Sequence, residues 1–326
     1  MKIAVTGANG HVGFNLCKAL VQQGHHVTIL KHKNDYAIRN VDVESIRGDL
    51  LDKESLIRLL TGIEIVFHLA ARISIKGDRD GMVWKINALG TKNIVDAALA
   101  TGVKRFIHFS SIHAFRQNPQ DQVLDETRSL VTNDGFAYDR SKAEGEKIVM
   151  NALKNGLDGI ILNPTAIIGP DDFEPSLIGK AVIGLYTNKI PCLVPGGYNW
   201  VDVRDVVTAA ITAIEKGCTG EKYLLAGQWR SLREVSQLIS DTAGIKTTQF
   251  EIPLWIAKAG LPFITLYSIM AKAEPLYTSE SLAIIRQGSK MISNEKAKRD
   301  LFFNPRSLED TIHDTLEWFR EHSFLN

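Results

Sequence analysis

The opening thirty residues constrain this chain more than any other stretch. A short apolar run at 3–5 stops at Thr6-Gly7, and glycines recur at Gly10 and Gly13. An amphipathic helical pattern follows, with Val12, Leu16, Ala19 and Leu20 on one face and Gly24 at its end. A second apolar run occupies 27–30. Strand, glycine-rich turn, helix and strand in that order is the context in which such glycines mark a dinucleotide site. Gly7 suits the tight turn, Gly10 lets the backbone approach a pyrophosphate, and Gly13 lets helix and strand pack closely. The helix start then offers unpaired N–H groups and a positive dipole end to phosphates, placing Asn9, His11 and Val12 at the ligand.

Further apolar runs at 65–69, 106–109 and 160–162 alternate with helical patterns at 12–23, 53–60, 82–100 and 136–155. The alternation predicts an α/β fold, a doubly wound parallel (Rossmann) sheet with helices on both faces. Right-handed crossovers then bring the strands' carboxyl ends to one edge, where ligands bind. After Asn163 the prolines at 164, 170, 175, 191 and 195 and the glycines at 169, 196 and 197 mark irregular connections. A helical pattern at 203–216 and a strand-like run at 223–225 read as a return to the sheet. Ser231 with Glu234, and Ser307 with Asp310, read as capping-box helix starts. The expected division is a cofactor-binding domain over 1–165, rejoined by 202–226, and a smaller, mostly helical substrate lobe over 166–326.

Composition excludes several classes of function. A net charge of +1 on 326 residues exerts no global pull on nucleic acid or anionic membranes, and no basic stripe appears. Cys17, Cys192 and Cys218 fit no metal spacing, and an odd, scattered set suits a reducing compartment, each read as a small buried hydrophobe. With the first strand at the N-terminus and no signal peptide before it, a cytoplasmic location is expected. The apolar stretch 252–271 is interrupted by Pro253, Lys258, Gly260 and Pro262, which argues against a spanning helix. It reads as core or as the cover of an apolar pocket, ahead of a helix resting on a membrane surface.

Chemistry enters at Tyr138 and Lys142, four residues apart on one helical face. A free tyrosine, pKa ~10, is a poor base at neutral pH, and a nearby ammonium favours the phenolate. Ser110 and Ser111 end the strand-like run at 106–109, so their hydroxyls would face the same edge and hydrogen-bond a substrate oxygen.

These motifs together resemble the extended short-chain dehydrogenases/reductases, the NAD-dependent epimerase/dehydratase family. The resemblance rests on Thr6-Gly-Ala-Asn-Gly-His-Val-Gly13, Gly48-Asp-Leu50, His68-Leu-Ala-Ala71, Asn87-Ala-Leu-Gly-Thr-Lys-Asn93, Phe109-Ser-Ser111, Tyr138-x-x-x-Lys142 and Asn163 through Pro170. Within the family the segments 163–176 and 200–205 are most similar to bacterial proteins like dihydroflavonol 4-reductase. The resemblance implies that Tyr138 is the general acid in reduction, Lys142 lowers its pKa and holds the nicotinamide ribose, and Ser111 orients the carbonyl. It also implies Asp49 and Leu50 against the adenine, Leu69, Ala70 and Ala71 beside the middle of the cofactor, and Asn87 as support for the catalytic groups. Pro164 and Ile167 would lie near the nicotinamide and Ser176 near a phosphate, with packing at strand ends an equal reading for Ala70, Ala71 and Pro164. In this family the helices at 82–100 and 136–155 often pair across a homodimer.

NAD-selective sites place a carboxylate at the end of the second strand. Here Lys31-His32-Lys33-Asn34 follows instead, with no carboxylate before Asp35. NADPH is therefore the expected cofactor, with NAD the alternative. Lys31 and then Lys33 would pair with the 2′-phosphate, unless both are solvated loop charges. Nucleotide-sugar members of the family carry an arginine where alignment on Asp205 puts Tyr198, which argues against a diphosphate substrate. Arg204 reads as a salt-bridged residue at least as readily as a ligand contact, and His113 as packing more readily than as a substrate contact. The stretch 254–269, with Trp255, Phe263 and Tyr267, would suit an apolar carbonyl compound if it lined the pocket. The expected activity is NADPH-dependent reduction of a ketone or aldehyde on a small, apolar molecule. The alternatives are a sugar epimerase or dehydratase, and a non-catalytic NADP sensor, disfavoured because Ser111, Tyr138 and Lys142 are all present.

Overall fold

The computed structural model describes residues 1–32, 36–270 and 277–325, with the side chains of 264–270 outside the description. Among these residues the strands, in chain order, are β1 (Lys2–Thr6), β2 (His26–Lys31), β3 (Glu44–Arg47), β4 (Ile65–His68), β5 (Arg105–Phe109), β6 (Gly159–Pro164), β7 (Ala166–Ile168), β8 (Gly197–Asp202), β9 (Lys222–Leu225) and β10 (Gln228–Ser231). The helices are α1 (His11–Gln22), α2 (Lys53–Leu60), α3 (Met82–Trp84), α4 (Gly90–Thr101), α5 (Ala137–Leu153), α6 (Leu177–Tyr186), α7 (Val203–Lys216), α8 (Leu232–Ala243), α9 (Leu254–Met270), α10 (Ser279–Gln287), α11 (Glu295–Leu301) and α12 (Leu308–Glu321).

Seven strands form one parallel sheet in the order β3-β2-β1-β4-β5-β6-β9. The chain winds outward in both directions from β1, so a crevice opens at the carboxyl ends between β1 and β4. Alternate side chains of each strand feed opposite layers. Ile3, Val5, Phe67 and Ile107 join Leu16 and Leu20 of α1 and Val206 and Ala210 of α7. Ala4, Val66, Phe106 and Ile161 join Leu56 of α2, Ile94 of α4 and Val149 of α5 on the other face. The predicted return of the chain to the sheet is the α7–β9 unit, with β9 parallel to β6.

Three departures have physical causes. β3 was not expected because Glu-Ser-Ile-Arg carries no apolar run, being an edge strand whose charges face solvent. The region read as mostly helical holds a second sheet, β10-β8-β7, beneath α6, α8 and α12. Its strands β8 (Gly-Tyr-Asn-Trp-Val-Asp) and β10 (Gln-Trp-Arg-Ser) mix polar and aromatic residues and give no clean period. The helix expected over 82–100 is continuous but contains a π turn, Lys85–Leu89, between α3 and α4. Ser231 and Glu234 form the full reciprocal cap of α8. Ser307 caps α12 by accepting from Asp310 N–H, but its hydroxyl proton goes to the Asp310 carboxylate, so that box is half formed. Of the cysteines Cys17 is buried as expected, Cys192 is half-buried and Cys218 is exposed.

Gly13 lies where α1 crosses the glycine turn. A Cβ there would overlap the Gly7 carbonyl oxygen and lie 2.8 Å from Ala8 Cα, both rigid backbone. Gly13→Ala is expected to lower unfolding stability by about 1–3 kcal/mol, read as an earlier urea midpoint; an unmoved midpoint would contradict this packing.

Candidate active site

A cavity of ≈ 700 Å³ runs along the carboxyl edge of the parallel sheet. At one end lies the glycine turn. Gly7 adopts φ +78°, and a Cβ there would come 2.7 Å from the Ala70 nitrogen, so only glycine admits this approach of the turn to the loop after β4. Gly10 caps α1 without a side-chain hydrogen bond, leaving the first N–H groups of the helix at the cavity wall beside His11, Val12 and Gly13. Asn9 Oδ1 accepts from Ala37 N–H (3.0 Å), and His11 Nε2 donates to the Pro170 carbonyl (2.9 Å), pinning the turn on both sides. This cradle fits a dinucleotide diphosphate.

Asp49 and Leu50, just after β3, line the next part of the wall, and Leu69, Ala70 and Ala71 the part after that. Asn93 Nδ2 donates to the Leu50 carbonyl (2.9 Å), and the Asp49 carboxylate lies 2.8 Å from His32 Nε2. Here one expectation changes. Leu30 and His32 line the cavity and Lys31 does not, because alternate residues along β2 point to opposite faces. Lys33, the second expected phosphate partner, lies outside the described residues.

Ser111, Tyr138 and Lys142 share the wall beyond. Ser111 Oγ accepts from His113 N–H (3.2 Å), and its carbonyl accepts from Asn163 Nδ2 (3.1 Å). Tyr138 sits in the first turn of α5, with Lys142 one turn further on. Burial pushes the Tyr138 phenol up to about 12, with hydrogen bonding to Ser111 drawing it down and the Asp139 charge raising it. The expected lowering of Tyr138 by Lys142 is not what governs this site. Lys142 Nζ instead donates to the Phe109 carbonyl (2.6 Å), and desolvation of the phenol dominates. Burial pulls Lys142 itself down to about 8, with the Glu146 carboxylate opposing that fall.

Glu146 is the third rung of the ladder begun by Tyr138 and Lys142, and the reading above missed it. It is fully buried; Oε1 accepts from Asn163 Nδ2 (2.5 Å) and Oε2 from Lys222 Nζ (2.5 Å). One carboxylate thus joins α5 to β6 and β9 and, through Asn163, to the Ser111 backbone. The continued four-residue spacing was the available signal.

Asn87 is buried behind the cavity, not on its wall. It donates to the Arg72 carbonyl (3.0 Å) and Ser141 Oγ (2.9 Å) and accepts from Arg72 N–H (2.7 Å), fastening the loop after β4 to α5. His68 adds a second brace. Thr91 Oγ1 gives its proton to the Asn87 carbonyl, so His68 Nε2 donates to Thr91 and Nδ1 accepts from Thr6. Burial holds His68 down to about 3, so it stays neutral and this direction is fixed.

Past Tyr138 the wall turns apolar, with Ile73, Ile75, Ile112, Leu177, Ile284 and Ile292. His113, read as packing, faces this space, its ring edge to Tyr138 and its Nδ1 3.8 Å from Asp139 Oδ1. Burial takes His113 down to about 4 and Asp139 up to about 7. Pro164, Ile167 and Ser176 line the wall, but the Ser176 hydroxyl caps α6 and donates to Asp172 (2.8 Å). Tyr198 lines it too, whereas Arg204 is held by Asp202 and Asp314 away from it. Among the described lining residues there is no arginine, and Lys142 is the one lysine. The described side chains of α9, 254–263, do not reach the wall, and Trp255 and Phe263 are exposed, while the side chain of Tyr267 lies outside the description.

The model of the NAD dependent epimerase/dehydratase family matches residues 3–226. The chain is 32% identical to sterol demethylase protein B of Methylococcus capsulatus over the full length of both. It is 30% identical to a Synechocystis protein named for dihydroflavonol 4-reductase, over 98% of this chain and 95% of that one. It is 29% identical to a Stigmatella aurantiaca ketoreductase of 4-hydroxy-2-methyl-3-oxo-4-farnesyl-3,4-dihydroquinoline-1-oxide, over 94% of this chain and 92% of the other. The chain belongs to the NAD-dependent epimerase/dehydratase family of NAD(P)-dependent oxidoreductases.

Proposed function

We propose that this protein reduces a ketone or aldehyde carbonyl on an apolar molecule, using NADPH. The observation that carries the reading is a single wall on which Ser111, Tyr138 and Lys142 stand between a dinucleotide cradle and a cluster of isoleucines. Relatives named for a sterol and for a farnesylated ketone support an apolar substrate. In this reading residues 1–165, with 202–226, hold the cofactor and 166–326 shape the substrate end.

Pro164 and Ile167 would hold the nicotinamide, which when bound would supply the hydride for the carbonyl carbon. Ser111 Oγ donates a hydrogen bond to the carbonyl oxygen, and Tyr138 Oη passes its proton to that oxygen as charge develops there. With its pKa at about 12, Tyr138 holds that proton at neutral pH, which suits the reductive direction. The Lys142 ammonium, braced on the Phe109 carbonyl, would hold the cofactor ribose. Asp49 and Leu50 would flank the adenine, and Ser176 contributes as the cap that shapes the wall. His32 lines the cavity at the end of β2, where its ring would meet a 2′-phosphate. A sugar epimerase reaction would use the same three groups. The described wall has no guanidinium for a diphosphate, and the Asp172 carboxylate stands beside Ser176, which would repel one.

The test is NADPH and NADH oxidation over a panel of aliphatic and aromatic ketones and aldehydes. Tyr138→Phe is expected to cut kcat by roughly 10²–10⁴-fold while NADPH still binds; no net oxidation with any carbonyl would move the assignment to a recycling epimerase or a sensor. Because the ammonium form of Lys142 is required, kcat/KM falls as pH rises through about 8. Glu146→Gln removes the charge that holds this pKa up, so the alkaline limb moves to lower pH; an unmoved limb would remove Glu146 from the ladder. His32→Ala is expected to raise KM for NADPH about tenfold, about 1.4 kcal/mol, and to leave KM for NADH alone.

A further inference from the structure

Over its described side chains, 254–263, helix α9 carries apolar residues on both its sides. Leu254, Ala257 and Leu261 face inward and pack with Val194, Tyr277, Leu282 and Ile285. At ~100° per residue, Lys258, Pro262, Trp255, Ala259, Phe263 and Ile256 follow one another around the opposite arc. All six are exposed, Trp255 at 71% and Phe263 at 76%. Phe250, just upstream, is 67% exposed. Such a concentration of large apolar side chains at the surface marks a contact site.

Charge and size identify the occupant. Lys258 borders the arc. The segment leading to Phe250 is flanked by exposed Lys189 and Lys246, brought together where Asn188 Nδ2 donates to the Lys246 carbonyl (2.8 Å). Arg233 lies against the same segment, donating to the Gln249 carbonyl (3.0 Å) and pairing with Glu251 (3.6 Å). Aromatic rings rimmed by lysines match the boundary between headgroups and acyl chains of an anionic leaflet, where rings sink and ammonium groups reach back to phosphate. An arc one helix wide falls short of the roughly 800 Å² per partner that a stable dimer buries. The inner side of α9 packs on α10, and α10 presents Glu280 and Ile284 to the cavity wall, so a single helix stands between α9 and the cavity.

We propose that the outward arc of α9, with Phe250, seats this protein on an anionic bilayer surface, from which an apolar carbonyl substrate reaches the cavity. The seating stands on the surface itself, and the uptake rests on the reductase reading. The experiment is co-sedimentation of the full chain with phosphatidylcholine vesicles and with equimolar phosphatidylcholine and phosphatidylglycerol vesicles. Wild-type protein is compared with Trp255→Ser/Phe263→Ser and with Lys258→Glu, after thermal melts show each variant folded. Expected are binding to the anionic vesicles, at least tenfold weaker binding to phosphatidylcholine alone, and a similar loss in the double variant. That variant should reduce a short, water-soluble ketone at the wild-type rate and a vesicle-dissolved ketone more slowly. Equal binding by wild type and double variant would overturn the proposal, as would self-association of the wild type that the double variant abolishes. Vesicle binding that depends on Trp255 and Phe263, without turnover of any carbonyl, would keep the seating and refute the reductase reading.

Discussion

Burying the Lys142 ammonium is the constraint on which the wall carrying Ser111, Tyr138 and Lys142 depends. A cation taken from water is costly unless its donors are met and a countercharge is near. Here the Phe109 carbonyl accepts from Nζ, and Glu146 supplies the countercharge one turn along α5. Glu146 is itself fully buried and is balanced by Lys222 from β9 and Asn163 from β6. Three strand ends and one helix are therefore held by a single set of charge-assisted contacts, and Ser111 is fixed as a by-product through Asn163. The polar groups that place the chemistry also tie β9, contributed by a distant part of the chain, to the rest of the sheet.

Much of this was legible in the residue pattern because it follows from periodicity and from the backbone demands of a few glycines. The parallel sheet and the α7–β9 return announce themselves as apolar runs and amphipathic helices. Gly7 and Gly13 mark a close approach that any larger residue would block. What stayed hidden depends on the third dimension. Lys31 and His32 are neighbours in the chain, and only the pleat of β2 decides which faces the cavity. Glu146 looks like an ordinary helical glutamate until its partners arrive from β6 and β9. β8 and β10 escape notice because a small sheet packed under helices by aromatic residues needs no alternation of apolar and polar positions.

The cavity joins two different environments across Tyr138. On the cofactor side, backbone N–H groups, Asp49 and His32 favour a charged, hydrogen-bonding ligand. On the other side, isoleucines from four separate segments stand among fewer polar groups, His113, Gln117, Asp139 and Glu280 being the ones nearest them in the chain. Burial takes His113 down to about 4 and Asp139 up to about 7, and raises the Glu280 carboxyl above its ordinary value. Family membership alone leaves reductases and sugar epimerases equally open. The proposed choice of a reductase rests on the contrast between the two ends of the cavity.

The π turn at Lys85–Leu89 bears on how such a site tolerates change. It lodges one extra residue in an otherwise regular helix, so α3 and α4 are out of phase by about a quarter to a third of a turn. That offset lets Asn87 reach Arg72 and Ser141 while Ile94 and Ala98, further along, keep their places in the core. Removing one residue would restore an unbroken helix and take away the widened turn from which Asn87 reaches Arg72 and Ser141. Sequences sharing this architecture should therefore accept substitutions along the segment far more readily than a change in its length.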